Sequence, residues 1–174
     1  MSNTRKRKKR VEKKKDPSEW LKGRLELLFR YPELSKISPD IYNKCGVWTP
    51  LKIIGVGYFA SIYSKIISKQ PWVKKWYYID LFAGSGIHKV SETGDTILGT
   101  CIHAIDSFKN PPHKVFLVEK DPEKKMALEN RLNFLKSNVD KFIGSLFSIS
   151  SIKLNNHPDN SLKRTKFSTK CNRY

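Results

Sequence analysis

The chain has 174 residues, 39% of them apolar and 11% aromatic, which is enough for one core in one domain. No apolar run approaches the ~20 residues needed to span a bilayer, and no apolar segment follows the charged N-terminus as it would in a secretory leader, so a cytoplasmic, membrane-free protein is expected. The net charge of +18 is unevenly placed: nine Lys/Arg against one Glu in residues 1–15 and six against one Asp in residues 150–174, leaving the middle only mildly basic. Cys45, Cys101 and Cys171 are far apart and lack metal-ligand spacing. A set this sparse argues for a reducing interior, without a disulfide framework or metal site; Cys45 and Cys101 read as buried apolar residues.

Residues 1–15 read as a disordered basic arm, with Arg5–Arg10 and Lys13–Lys15 carrying the charge. Such an arm either raises affinity for phosphates without reading sequence or only solubilises the chain. Asp16-Pro17-Ser18-Glu19 opens a helix, with Asp16 as N-cap and Pro17 in the first turn. Leu21, Leu25 and Leu28 form its apolar face, and Tyr31-Pro32 ends it. Residues 32–47 have no period and read as a connector.

Two readings compete for the next element. In one, Thr49 caps a long helix with Pro50 in its first turn, Trp48 and Ile53 form a hydrophobic staple, and Ile54, Tyr58, Ile62 and Ile66 continue one face until Pro71. In the other, Leu51–Ile54 is a strand and Gly55-Val56-Gly57-Tyr58-Phe59-Ala60 is a dinucleotide fingerprint of an oxidoreductase, using Gly55, Gly57 and Ala60, with Asp80 at the end of a second strand. The helix reading accounts for Trp48, Thr49 and Pro50 together, and it makes the glycines marks of close helix packing.

Trp76–Asp80 is an aromatic and β-branched run that leads into a small-residue loop, Leu81-Phe82-Ala83-Gly84-Ser85-Gly86. This pattern predicts a buried strand followed by a turn in which Gly84 and Gly86 take positive φ and let a ligand approach the backbone. Residues 87–97 are polar and read as a lid or a plain surface insertion. A helix follows, with Leu98, Ile102, Ile105 and Phe108 buried and Cys101 beside them. Asn110-Pro111-Pro112-His113 is a turn. Val115–Val118 is a second apolar strand, ending in Glu119. In a parallel sheet, carboxylates at the tips of adjacent strands suit the hydroxyl and amino groups of a nucleoside. Asp121-Pro122 caps a helix that buries Leu128, Leu132 and Leu135. Asp140–Gly144 is the candidate third strand, and from about Leu146 the pattern fails.

These motifs resemble the three-Cys-motif partner protein (TcmP) family, whose members are similar to class I S-adenosylmethionine-dependent methyltransferases. The residues that carry the resemblance are Trp48-Thr49-Pro50-Leu51-Lys52, Tyr78–Gly86, Gly94 with Leu98-Gly99-Thr100, and Phe116–Pro122, within roughly residues 16–136. The resemblance implies S-adenosylmethionine as cofactor, with Asp80 and the loop Phe82, Ala83, Gly84, Ser85 and Gly86 on its methionine end and Glu119, followed by Lys120, on the ribose. It also implies methyl transfer, and a separate three-Cys-motif protein as partner. The wording of the first motif and the basic arm point to a nucleic-acid acceptor; no catalytic base is assigned.

The fold expected is therefore α/β: a Rossmann-like class I methyltransferase fold that is incomplete, with N-terminal helices and strands 1, 2 and a candidate 3 of a parallel sheet. Its bounds are a basic arm over 1–15, the α/β domain over 16–145 and an irregular basic tail over 146–174. Shortened in this way, strand 1 exposes an edge. Either the chain is a shortened family member, or another copy of the chain or a partner completes the sheet. The rival from a different class is a non-catalytic protein that binds nucleic acid or a partner through its charged ends.

Overall fold

Asp16 starts the first helix as its residue type predicts: its carboxylate accepts from the Ser18 N–H at 2.9 Å. The computed structural model describes residues 16–143 and 147–150, so the basic arm, Cys171 and most of the expected tail lie outside the described residues. The elements run α1 (Pro17–Glu26), β1 (Asn43–Cys45), α2 (Thr49–Ile67), β2 (Tyr77–Asp80), β3 (Ile87–Val90), β4 (Thr96–Leu98), α3 (Thr100–Ser107), β5 (Lys114–Val118), α4 (Pro122–Asn138), α5 (Asp140–Ile143) and β6 (Phe147–Ser150). Short 3-10 turns at Leu27–Phe29 and Pro32–Lys36 link α1 to β1. The fold is mixed α/β, and no described helix is long and apolar enough to cross a membrane.

Among the described residues, two three-stranded sheets form. In one, β2, β5 and β6 run parallel with β5 in the middle, setting Asp80 beside Leu117 and Leu117 beside Ile149. In the other, β1 pairs with β3 in parallel, and β3 turns back through Gly94 (φ +77°) onto β4. Residues 87–97 are thus neither lid nor surface insertion. They are a hairpin that buries Ile87, Val90 and Ile97 and exposes its turn and Lys89. The third strand is also corrected. Residues Asp140–Ile143 form a helical turn, with the Phe142 N–H bonded to the Val139 carbonyl, and the strand beside β5 is Phe147–Ser150.

Residues Thr49–Ile67 are one continuous helix, so Leu51–Ile54 is not a strand and Gly55, Gly57 and Ala60 form no dinucleotide loop. The expected staple does not form, and of the expected face only Ile54 is buried. Trp48 is 72% exposed, and Tyr58, Ile62 and Ile66 face outward. The buried residues are Ile53, Ile54, Gly57, Ala60 and Ser64, and the last three are small enough to let α3 approach closely. A Cβ at Gly57 would overlap the His103 ring, whereas Gly55 faces open space and marks no packing. The Ser64 hydroxyl accepts from the Lys109 N–H at 3.0 Å and closes the end of this contact.

The main core lies between the parallel sheet and α3 and α4, where Val115 and Leu117 meet Ile102, Leu128, Leu132 and Leu135. A second cluster of Leu28, Ile53, Ile54, Val90 and Ile97 joins the N-terminal helices to the hairpin. Asp106 is buried between the two ends of a short ladder, taking the Arg30 guanidinium at 2.8 Å and the Tyr31 hydroxyl at 2.9 Å. Burial first, and then the Asp106 charge, push the Tyr31 phenol up to about 12, so it stays a donor.

Arg131, on α4, is the largest fully buried side chain. Its guanidinium donates to five backbone carbonyls: Leu34 at 3.2 Å, Ile37 at 2.7 Å, Ser38 at 2.9 Å, Ile41 at 2.8 Å and Ser85 at 2.6 Å. Burial pulls its pKa down to about 10, which still leaves it charged at neutral pH. The connector before β1 is therefore wrapped around one cation, with Ser38 held at φ +50° as part of the wrap. Replacing Arg131 with Leu removes the donors and leaves those carbonyls buried. Denaturant unfolding is expected to register a loss of about 3–5 kcal/mol, the range for breaking a buried charged network. An unchanged midpoint would show that the carbonyls need no cation.

Candidate cofactor site

The site grows from the carboxyl ends of β2 and β5. Asp80 is the last residue of β2, and Glu119 directly follows β5. Because the two strands are parallel neighbours in register, both acids stand at the same end of the sheet. They are also connected. One Glu119 oxygen accepts from the Gly84 N–H at 2.8 Å, and the other accepts from the Asp121 N–H at 2.9 Å. The Asp80 carboxylate accepts from the Phe82 N–H at 3.0 Å, and the Tyr78 hydroxyl approaches its second oxygen at 3.4 Å.

The loop between the acids is fixed from below. The Ala83 N–H donates to the Val118 carbonyl at 3.0 Å and ties the loop to the tip of β5. The Cys101 thiol donates to the Ala83 carbonyl at 3.2 Å, and the Gly86 carbonyl accepts from the Gly99 N–H at 2.7 Å. Arg131 holds the Ser85 carbonyl. Gly84 and Gly86 have φ +65° and +88°, the left-handed region expected of them. Both also meet protein. A Cβ at Gly84 would overlap the Asn43 side-chain amide, and one at Gly86 would press Ile102 at 2.8 Å and Leu128 at 2.9 Å.

The structure thus divides the eight candidate residues into two groups. Asp80 and Glu119 are half-buried, and Phe82 (90% exposed) and Lys120 are open to solvent at the rim. Ala83, Gly84, Ser85 and Gly86 are buried. The Ser85 hydroxyl donates inward to the Ile87 carbonyl at 3.1 Å, so its side chain is spent on the loop's own shape. The two groups beneath the acids are neutral. Burial, and then the nearby Asp80 charge, raise the pKa values of the Tyr78 phenol and the Cys101 thiol, which keeps both as protonated donors.

Three participants escaped sequence reasoning. Asn43 sits on the short strand β1, inside what reads as an aperiodic connector. Tyr78 reads only as part of its strand, and Arg131 draws no assignment on its helix. Only Tyr78 had a local signal, since it stands two residues before the acid and so on the same face of the strand.

A carboxylate has about four acceptor positions. Asp80 and Glu119 each meet two protein donors, so each keeps capacity for donors on a ligand. The arrangement suits hydroxyl or amino donors, as on a nucleoside. No described group of three or more His, Cys, Asp or Glu residues is placed to hold a metal ion.

Glu119→Gln tests the strut. Glutamine offers one acceptor and one NH2 where two backbone N–H groups converge, so one donor is left facing another. The expected loss is about 1–3 kcal/mol in denaturant unfolding, against little effect for Lys120→Gln in the same assay. Equal stability of the two variants would remove the strut.

Compared with known proteins, the sequence matches no family model, and neither a curated protein nor a solved structure gives a significant match.

Proposed function

We propose that this chain is an S-adenosylmethionine-binding, methyltransferase-like domain that acts on or with nucleic acid. The observation that carries the reading is the pair of half-buried carboxylates on adjacent parallel strands with the Gly84 N–H between them. In this reading, β2, β5 and β6 correspond to strands 1, 2 and 3 of a Rossmann-like methyltransferase sheet, and their spatial order agrees with it. Asp80 holds the methionine end of the cofactor, and Glu119 takes the ribose hydroxyls. Phe82 and Lys120 flank the rim. The resemblance to the three-Cys-motif partner family supports the same assignment.

The cofactor, when bound, would supply a methyl group on a sulfonium, open to direct displacement. The contribution of Asp80, Glu119 and the loop is to hold and orient, since alignment of two reactants can itself supply most of a rate enhancement of this kind. The residues named here bind; the catalytic base is unassigned. The excess charge of residues 1–15 supports a polyanionic acceptor or partner. By resemblance, a separate three-Cys-motif protein is the further partner.

A second reading, a binding protein without chemistry, draws on the exposed aromatic and cationic surface of α1 and α2. There the Arg24 guanidinium lies 5.5 Å from the Trp20 ring centre and 5.6 Å from that of Tyr58. One set of titrations separates the two. Labelled S-adenosylmethionine is expected to bind the wild-type chain and to bind Asp80→Ala and Glu119→Ala at least about tenfold more weakly, the loss of one charge-assisted bond. Binding of an oligonucleotide should instead depend on residues 1–15 and fall with added salt. Equal cofactor binding by all three proteins would refute the site, and oligonucleotide binding alone would leave the second reading.

A further inference from the structure

We propose that a second copy of this chain adds to the open edge of β2, antiparallel and related by a two-fold axis, joining the two parallel sheets into one and packing α2 against its counterpart. Among the described residues β2 has one neighbour, β5, so a row of its backbone N–H and C=O groups faces outward. Its side chains on the face away from α3 are uncovered as well, with Tyr77 51% and Ile79 60% exposed. An edge this apolar and unpaired is a template for another strand.

Charge selects the partner and the direction. Lys74 and Lys75 lie just before β2 and Asp80 ends it, so pairing that continues back to Lys74 puts opposite charges at its two ends. A two-fold centred on Tyr77 sets Lys74 of each copy directly opposite Asp80 of the other, on one face of the sheet. A parallel pairing would set like charges side by side. Cross-strand pairs of opposite charge stabilise an antiparallel ladder, and like charges oppose it.

The same axis accounts for the outward stripe on α2. Phe59, Ile62, Tyr63 and Ile66 follow the i, i+3, i+4, i+7 spacing of a helix-packing face, yet each is at least 40% exposed. Phe59 and Tyr63 stack at 5.7 Å, and Tyr63 meets Trp76, just before β2, at 6.2 Å. The stripe therefore stands on the β2 side of the helix layer. In an antiparallel sheet, a two-fold normal to the sheet keeps each copy's helices on the same side. Strand addition at β2 then brings the two apolar stripes towards each other. One operation covers an open edge and an exposed helix face, and it uses the same patch on both copies, as an isologous interface must.

The proposal shares Asp80 with the cofactor reading, but its test needs no cofactor, so the two can fail separately. Its test is sedimentation equilibrium of the full chain from about 1 to about 200 µM, with hydrogen exchange followed in parallel. The expected result is twice the protomer mass, with the amides of residues 77–80 exchanging more slowly as concentration rises. Tyr63→Glu and Ile66→Lys, both at exposed positions, should each weaken association by at least about tenfold with an unchanged circular dichroism spectrum. Should one of them fail to fold, the other carries the test. The protomer mass at the highest concentration would overturn the proposal. So would a dimer whose β2 amides exchange at a concentration-independent rate, or one indifferent to both substitutions.

Discussion

A buried cation organises this fold. Arg131 reaches from α4 through the core to five carbonyl oxygens, four in the turns before β1 and one in the glycine loop after β2. An isolated buried charge is costly, and an irregular segment left with unpaired carbonyls is costly too. Each offsets the other. The consequence reaches the candidate site twice. Arg131 fixes the Ser85 carbonyl directly, and by shaping residues 34–41 it sets where β1 begins, which places the Asn43 amide against Gly84. Even Ser38 at φ +50° fits this account, because its carbonyl is one of those gathered in.

The loop over the strand ends is consequently a preformed object. Its carbonyls are engaged by Arg131, Cys101 and Gly99, and its N–H groups at Phe82, Ala83 and Gly84 are engaged by Asp80, Val118 and Glu119. Glu119 acts here as a strut between the loop and the start of α4, through Asp121. Asp121 in turn caps α4 by accepting from the Glu123 and Lys124 N–H groups. A ligand at this site would thus meet carboxylates already oriented by backbone donors, which is the condition under which few contacts suffice for affinity.

How much of this was legible in the residues depends on how local each signal is. Asp16 and Asp121 declare helix starts through chemistry within three residues, and both caps form as read. The two acids at strand ends, with glycines between, are likewise local, and their convergence follows from parallel pairing. The helical reading of residues 50–69 was also sound, but its inner face was not. α2 is apolar on two sides, one that includes Gly57, Ala60 and Ser64 and one of large residues, and periodicity cannot say which is inside. The side with Gly57 is buried because α3 crosses closely there. The third strand was misplaced because Asp140–Ile143 has strand-like composition, while its pairing with β5 is decided some distance further along the chain. β1 and Arg131 left no signal, since each is defined only by partners dozens of residues away.

The most direct test of the central claim reads the backbone between the two acids. Nitrogen-edited NMR of the full chain, titrated with S-adenosylmethionine, should shift the Phe82, Gly84 and Asp121 amide resonances together along one saturable path. Those three N–H groups share the Asp80 and Glu119 carboxylates that the ligand would engage. Saturable shifts confined to other parts of the chain, or none at millimolar ligand, would contradict the account.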